Sequence, residues 1–116
     1  GENWTQQAKL TASDGIGDEL FGCSVSIDDE YSVVSAYIDE DYGPESGSAY
    51  IFRREGQNWK QEAKLIAPDG HSYHQFGRGV SISDGYVIAG APLDEDIADS
   101  AGAAYIFSRV SNTWSH

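Results

Sequence analysis

Val25 and Ile27 alternate with Ser24 and Ser26, the two-residue period of a strand with one apolar face. The run from Tyr31 to Tyr37 is more continuously apolar, which predicts a strand buried on both sides. A further strand is expected from Gly47 to Arg54. Another is expected from Trp4 to Thr11, half-exposed because it is rich in Gln and Lys. Asp28-Asp29-Glu30 and Ser83-Asp84-Gly85 are short turn sequences that suit hairpins. No stretch carries a 3.6-residue period, so almost no helix is expected.

The same pattern occurs twice. Trp4, Trp59 and Trp114 follow one another at intervals of 55 residues, and the chain shifted by 55 aligns with itself without a gap. Ala8-Lys9-Leu10 falls on Ala63-Lys64-Leu65, and Phe21-Gly22 on Phe76-Gly77. Val25-Ser26-Ile27 falls on Val80-Ser81-Ile82, and Ala49-Tyr50-Ile51-Phe52 on Ala104-Tyr105-Ile106-Phe107. Nearly half of the aligned positions are identical, which excludes chance. Each copy therefore holds four short strands. A single four-stranded sheet cannot cover both of its faces, so neighbouring sheets must stack, as the blades of a β-propeller do.

These residues resemble FG-GAP repeats, the blades of the integrin α-subunit type of propeller. Phe21-Gly22 and Phe76-Gly77 supply the Phe-Gly pair. Gly90-Ala91-Pro92 supplies Gly-Ala-Pro, for which the first copy has Ser35-Ala36-Tyr37. Gly47 to Phe52 and Gly102 to Phe107 supply Gly-x-x-Tyr-x-Phe. The resemblance implies an all-β fold of two four-stranded antiparallel blades, with the Phe-Gly strand innermost and the Trp…Lys-Leu strand outermost. It divides the chain into 1–67, an outer strand plus the first blade, and 68–116, a second blade. The second blade lacks its outer strand unless residues from Trp114 onward begin it. Trp114-Ser115-His116 also matches the start of a streptavidin-binding affinity tag, so Ser115 and His116 are left out of the expected fold.

This phase leaves one outer strand without a blade and one blade without an outer strand. A head-to-tail ring of copies removes both open ends. Three chains give six blades and four give eight, so the expected partner is the chain itself, as a trimer or tetramer that completes a propeller.

The formal net charge of −12 argues against nucleic-acid binding, because phosphate contacts need Lys and Arg. It favours cations or basic partners. No apolar run approaches the roughly 18 residues of a membrane span. The resemblance implies an extracellular or cell-surface setting for the parent protein. The single Cys23 rules out an internal disulfide framework.

In the borrowed topology, the loops entering each innermost strand and those following each second strand share one rim. That rim collects most of the acids. Calcium is the natural candidate ion, since it takes clustered carboxylate oxygens. Asp39, Asp41, Asp94 and Asp96 have alternate-residue spacing suited to a ligand set. The Asp-x-Asp-x-Asp-Gly pattern of calcium-binding integrin blades is absent, and the competing reading is that these residues cap turns. Asp14, Asp18, Asp69, His71, Tyr73, His74 and Asp99 complete the expected binding face. His71 and His74 have no His counterparts in the first copy, which weakens a zinc reading.

No nucleophile elbow, phosphate-cradling loop or recurring catalytic pair is present. The expected function is therefore a non-catalytic binding and assembly module with an acidic loop face. The alternative is a carbohydrate-binding propeller that stacks sugars on the recurring Trp and Tyr residues.

Overall fold

A computed structural model describes residues 4–12, 20–36, 47–66, 76–91, 102–111 and 113–116. The strands are β1 (Val25–Asp28), β2 (Tyr31–Ala36), β3 (Ser48–Glu55), β4 (Asn58–Leu65), β5 (Val80–Ser83), β6 (Tyr86–Ala91), β7 (Ala103–Val110) and β8 (Thr113–Ser115). They form two antiparallel four-stranded sheets, ordered β1-β2-β3-β4 and β5-β6-β7-β8. The described residues contain no helix.

The turns follow from local chemistry. Asp84 and Gly85 both take positive φ, 49° and 81°. That pair builds a type I′ turn, whose twist matches the flanking strands. Between β1 and β2 only Asp29 of the Asp29-Glu30 pair takes positive φ, 55°, so that turn is not of type I′. The register between β3 and β4 runs from Ala49↔Leu65 to Glu55↔Asn58, with one irregularity between Ile51 and Phe52.

Burial follows the apolar pattern. β2 is buried along nearly its whole length on both faces, as its continuous apolar run requires. Its repeat mate β6 is buried on one face only. The difference is one of position. One face of the first sheet (Val33, Ala49, Ile51, Leu65) and one face of the second (Phe76, Val87, Ala89, Tyr105, Phe107, Trp114) share a single core. The second sheet's other face has nothing described against it.

Two expectations change. Residues 4–12 are irregular rather than a strand. Their repeat mate forms β4 because β3 lies alongside and satisfies its backbone, and no described strand lies alongside 4–12. Leu10 and Ala12 instead pack on the far face of the first sheet, with Phe21 and Trp59 over Val34, Ala36, Tyr50 and Phe52. The outer place of the second sheet is filled by β8, which contains Trp114 and Ser115. His116 lies with its ring 5.6 Å from Tyr105 and 5.7 Å from Phe107, so Ser115 and His116 belong to the fold.

Candidate functional site: the sheet-to-sheet interface

Three devices join the first sheet to the second. The first is a close backbone approach. A Cβ placed on Gly47 would lie 2.0 Å from the Phe76 carbonyl oxygen, and one on Gly77 would lie 2.7 Å from the Ser48 carbonyl oxygen. The Phe76-Gly77 turn thus rests directly on Gly47-Ser48. That contact seats the fully buried Phe76 ring edge-on to Tyr105 and Phe107, at 5.6 and 5.9 Å.

The second device joins the innermost strands. β5 is an edge strand, and its N–H groups on the side away from β6 need acceptors. The first sheet supplies them from alternate positions of β1 and the residue before it. Val80 donates to the Ser24 hydroxyl at 3.1 Å, Ile82 to the Ser26 hydroxyl at 3.3 Å, and Asp84 to the Asp28 carboxylate at 2.8 Å. The alternating polar residues of β1 therefore face the next sheet, not solvent alone.

The third is a polar clasp at the outer strands. Glu62 on β4 accepts from Arg109 Nε and Nη2, both at 3.0 Å, and from the Trp114 indole at 2.7 Å. The Arg109 guanidinium also sits 5.0 Å from the Tyr31 ring centroid, and the Tyr31 and Trp114 rings meet edge-on at 5.9 Å. The Arg109 hydrogen bonds hold the Glu62 carboxyl below its ordinary pKa; burial opposes them, and the Trp114 bond adds to the lowering. Both charges are mostly buried, and each is the other's partner.

The 55-residue shift shows the same devices half-built at the two open faces. Phe21 meets Tyr50 and Phe52 edge-on at 5.4 and 6.2 Å, as Phe76 meets Tyr105 and Phe107. The Trp59 indole donates to Gln7 at 2.8 Å, as Trp114 does to Glu62. Leu10 occupies the place of Leu65. Residues 4–12 therefore sit on the first sheet as β4 sits on the second. Between them lies a hollow of about 310 Å³ lined by Gln6, Gln7, Leu10, Ile27, Ser32 and Trp59. On the second sheet's outer face, Ile88 and Ile106 are 46% and 58% exposed, whereas their mates Val33 and Ile51 are fully buried.

The candidate ligand residues chosen from sequence are not among the described positions. Asp14, Asp18, Asp39, Asp41, Asp69, His71, Tyr73, His74, Asp94, Asp96 and Asp99 all lie outside them. Of the aromatics behind the carbohydrate alternative, Tyr50, Tyr105 and Trp114 are buried in packing, whereas Trp4 is 98% exposed. Cys23 is exposed. Sequence reasoning did not single out Glu62, Arg109, Tyr31, Ser24 or Asp28. Comparing the copies hid Glu62, because Gln7 stands at its mate. The only signal for the inner-strand contacts was the recurrence of Ser26 as Ser81.

Two stacked, four-stranded antiparallel sheets, the second with its Phe-Gly turn seated on the first, define a tandem blade protein of the all-β class. The FG-GAP repeat model matches residues 4–52 and again 59–107. The chain belongs to the FG-GAP repeat family, with two repeats in tandem. A search of curated proteins finds no match.

Proposed function

We propose that the chain is a non-catalytic assembly and binding module that stacks head to tail on further copies of itself. One observation carries this reading. The outer face of the second sheet and the far face of the first present the repeat counterparts of the two faces that already pack inside the chain, with Ile51/Ile106, Tyr50/Tyr105 and Phe52/Phe107 identical and Val33 replaced by Ile88. Ile88 and Ile106 of one copy fill the hollow beside Leu10, Ile27 and Trp59 of the next. Gly102 takes the place of Gly47 and receives Phe21-Gly22. Ser81 and Ser83 accept from the Ile27 and Asp29 N–H groups. Such an interface is heterologous, so repetition closes into a ring or runs on as a filament. Three or four chains give rings of six or eight blades.

Light scattering over a range of concentrations tests the proposal. It is expected to find species at multiples of 12.6 kDa, with three- and four-chain masses favoured. Ile106→Glu is expected to weaken association at least tenfold while leaving the fold intact, because Ile106 is largely exposed in the single chain. A monomer at all concentrations overturns the reading. The acidic loops form the second half of the proposal, as a face for cations or basic partners in an extracellular setting. Added calcium is expected to raise the melting temperature over a chelator control, and no shift at millimolar calcium removes that half.

A further inference from the structure

Where two copies of a repeat stop matching, packing alone no longer accounts for the residues, and the turn end of the first sheet is such a place. Tyr31 and Tyr86 are repeat mates in different surroundings. Asp28-Asp29-Glu30 precedes Tyr31, whereas Ser83-Asp84-Gly85 precedes Tyr86. Glu30 stands where Gly85 completes a type I′ turn, and both Asp29 and Glu30 are exposed. Across the sheet, Tyr31 pairs with Arg53, while Tyr86 pairs with Ser108. Two guanidinium groups therefore flank the half-buried Tyr31 ring, with Arg53 at 5.9 Å and Arg109 at 5.0 Å from its centroid. Arg109 is held by Glu62. Arg53 differs, because its Nε is buried and has no hydrogen-bond partner among the described residues, an arrangement that costs free energy until an acceptor is supplied. The Arg109 pKa is raised, first by its hydrogen bonds to Glu62 and further by the Tyr31 oxygen, with burial opposing. That oxygen thus lies within electrostatic reach of the guanidinium.

We propose that the Tyr31 hydroxyl is a site of anionic esterification, sulfuryl or phosphoryl, with Arg53 and Arg109 receiving the added charge. In the transfer, the phenol oxygen bonds to the sulfur or phosphorus of a nucleotide-activated donor. The bond from that atom to the nucleotide's phosphate oxygen breaks, and the phenolic proton leaves to a base of the transferase. Nothing is oxidised or reduced. Such donors are polyanionic, so enzymes that use them present basic surfaces, and the acids before Tyr31 steer this turn toward one. The finished ester sets strong acceptor oxygens opposite the guanidinium groups. Arg109 stays committed to Glu62, so Arg53 takes most of the new charge. Tyr31 belongs to the first sheet and Arg109 to the second, so the ester ties the sheets together. A single chain holds every group involved, and head-to-tail stacking is not required.

The test incubates the whole chain with a tyrosylprotein sulfotransferase and nucleotide-activated sulfate, and separately with a tyrosine kinase and ATP. Peptide mass spectrometry then maps the modified residue, and the two arms identify the group. Incorporation at Tyr31 is expected to exceed that at Tyr86 by roughly tenfold or more in at least one arm, although Tyr86 is the more exposed ring at 58%. No incorporation at Tyr31 in either arm, or equal incorporation at Tyr86, overturns the proposal. Glu30→Gly copies the second repeat, so it is expected to keep the sheet signal and lower incorporation several-fold. Unchanged incorporation in that variant overturns the part given to the acids. A second measurement needs no transferase. Sulfotyrosine is placed at position 31 by translation, and thermal unfolding is compared with the parent at one low concentration. The melting temperature is expected to rise, and the rise is expected to vanish in Arg53→Ser, which also copies the second repeat. A fall in melting temperature, or a rise that survives Arg53→Ser, overturns the charge pairing.

Discussion

Removing the Glu62 carboxylate tests whether a polar clasp, and not apolar contact alone, holds the two sheets together. Glu62 accepts three hydrogen bonds, two from Arg109 and one from Trp114. Hydrogen bonds to a charged group contribute about 1.5–3 kcal/mol each, before any overlap between them. The Arg109 and Glu62 side chains keep 17% and 14% exposure, so water offsets part of that sum. Glu62→Ala leaves both the guanidinium and the indole N–H without this acceptor, and the expected loss is about 3 kcal/mol. Glu62→Gln keeps one acceptor for Trp114, as Gln7 does for Trp59, and should lose about 1–2 kcal/mol. At about 4 °C per kcal/mol for a chain of this size, melting falls by about 12 °C and about 4–8 °C respectively. The assay is thermal and urea unfolding followed by circular dichroism at one low protein concentration, so that association does not contribute. An alanine variant within about 0.5 kcal/mol of the parent would refute the reasoning, since that is the range of ordinary surface substitutions. The pH dependence supplies a second check. The folded-state pKa of Glu62 is lowered from its ordinary value of about 4.5. Its contribution is therefore complete above that value and is lost as pH falls through the lowered one. The gap between parent and Gln variant should be constant near neutrality and shrink below about pH 4.5. A gap that widens on acidification would contradict this.

Other consequences follow from the same contacts. Gly47→Ala puts a methyl into the Phe76 backbone and forces a side chain onto a φ of 89°, so it should cost at least about 3 kcal/mol. Gly56→Ala is the control, with nothing near its Cβ and φ 65°, and should cost only about 1 kcal/mol; urea unfolding of the two variants reads the difference. Phe76→Ala should cost about 3–5 kcal/mol. Phe21→Ala should cost less in the single chain because Phe21 is only half-buried, which the same measurement checks. Ser26→Ala leaves the Ile82 N–H without its acceptor and should cost about 1 kcal/mol, with faster amide exchange at Ile82 as its specific sign.

Much of the fold was legible in the sequence because two short-range rules dominate it. Alternation and turn chemistry act within a few residues, so β1, β2, β3 and the Asp84-Gly85 hairpin could be read off directly. The 55-residue self-match then carried each reading to the other copy, and four strands per copy demanded stacking. The strand expected at Trp4–Thr11 failed for a reason no local pattern holds. The matching segment of the second copy is a strand at Asn58–Leu65, where β3 supplies a ladder, whereas 4–12 is irregular, where no described strand does.

What packs on what was decided only in three dimensions. Val33 and Ile88 occupy equivalent places in the repeat, yet one is fully buried and the other 46% exposed, because among the described residues only Val33 has a sheet against it. Glu62, Arg109, Tyr31 and Trp114 are separated by up to 83 positions along the chain, and their meeting depends on how two sheets are rotated onto each other. Self-comparison even obscured that cluster, since Gln7 replaces the carboxylate in the first copy. Periodicity records which face of a strand is apolar; it holds no information on which surface will cover that face. That choice belongs to long-range contact, where distant side chains first come within hydrogen-bonding reach.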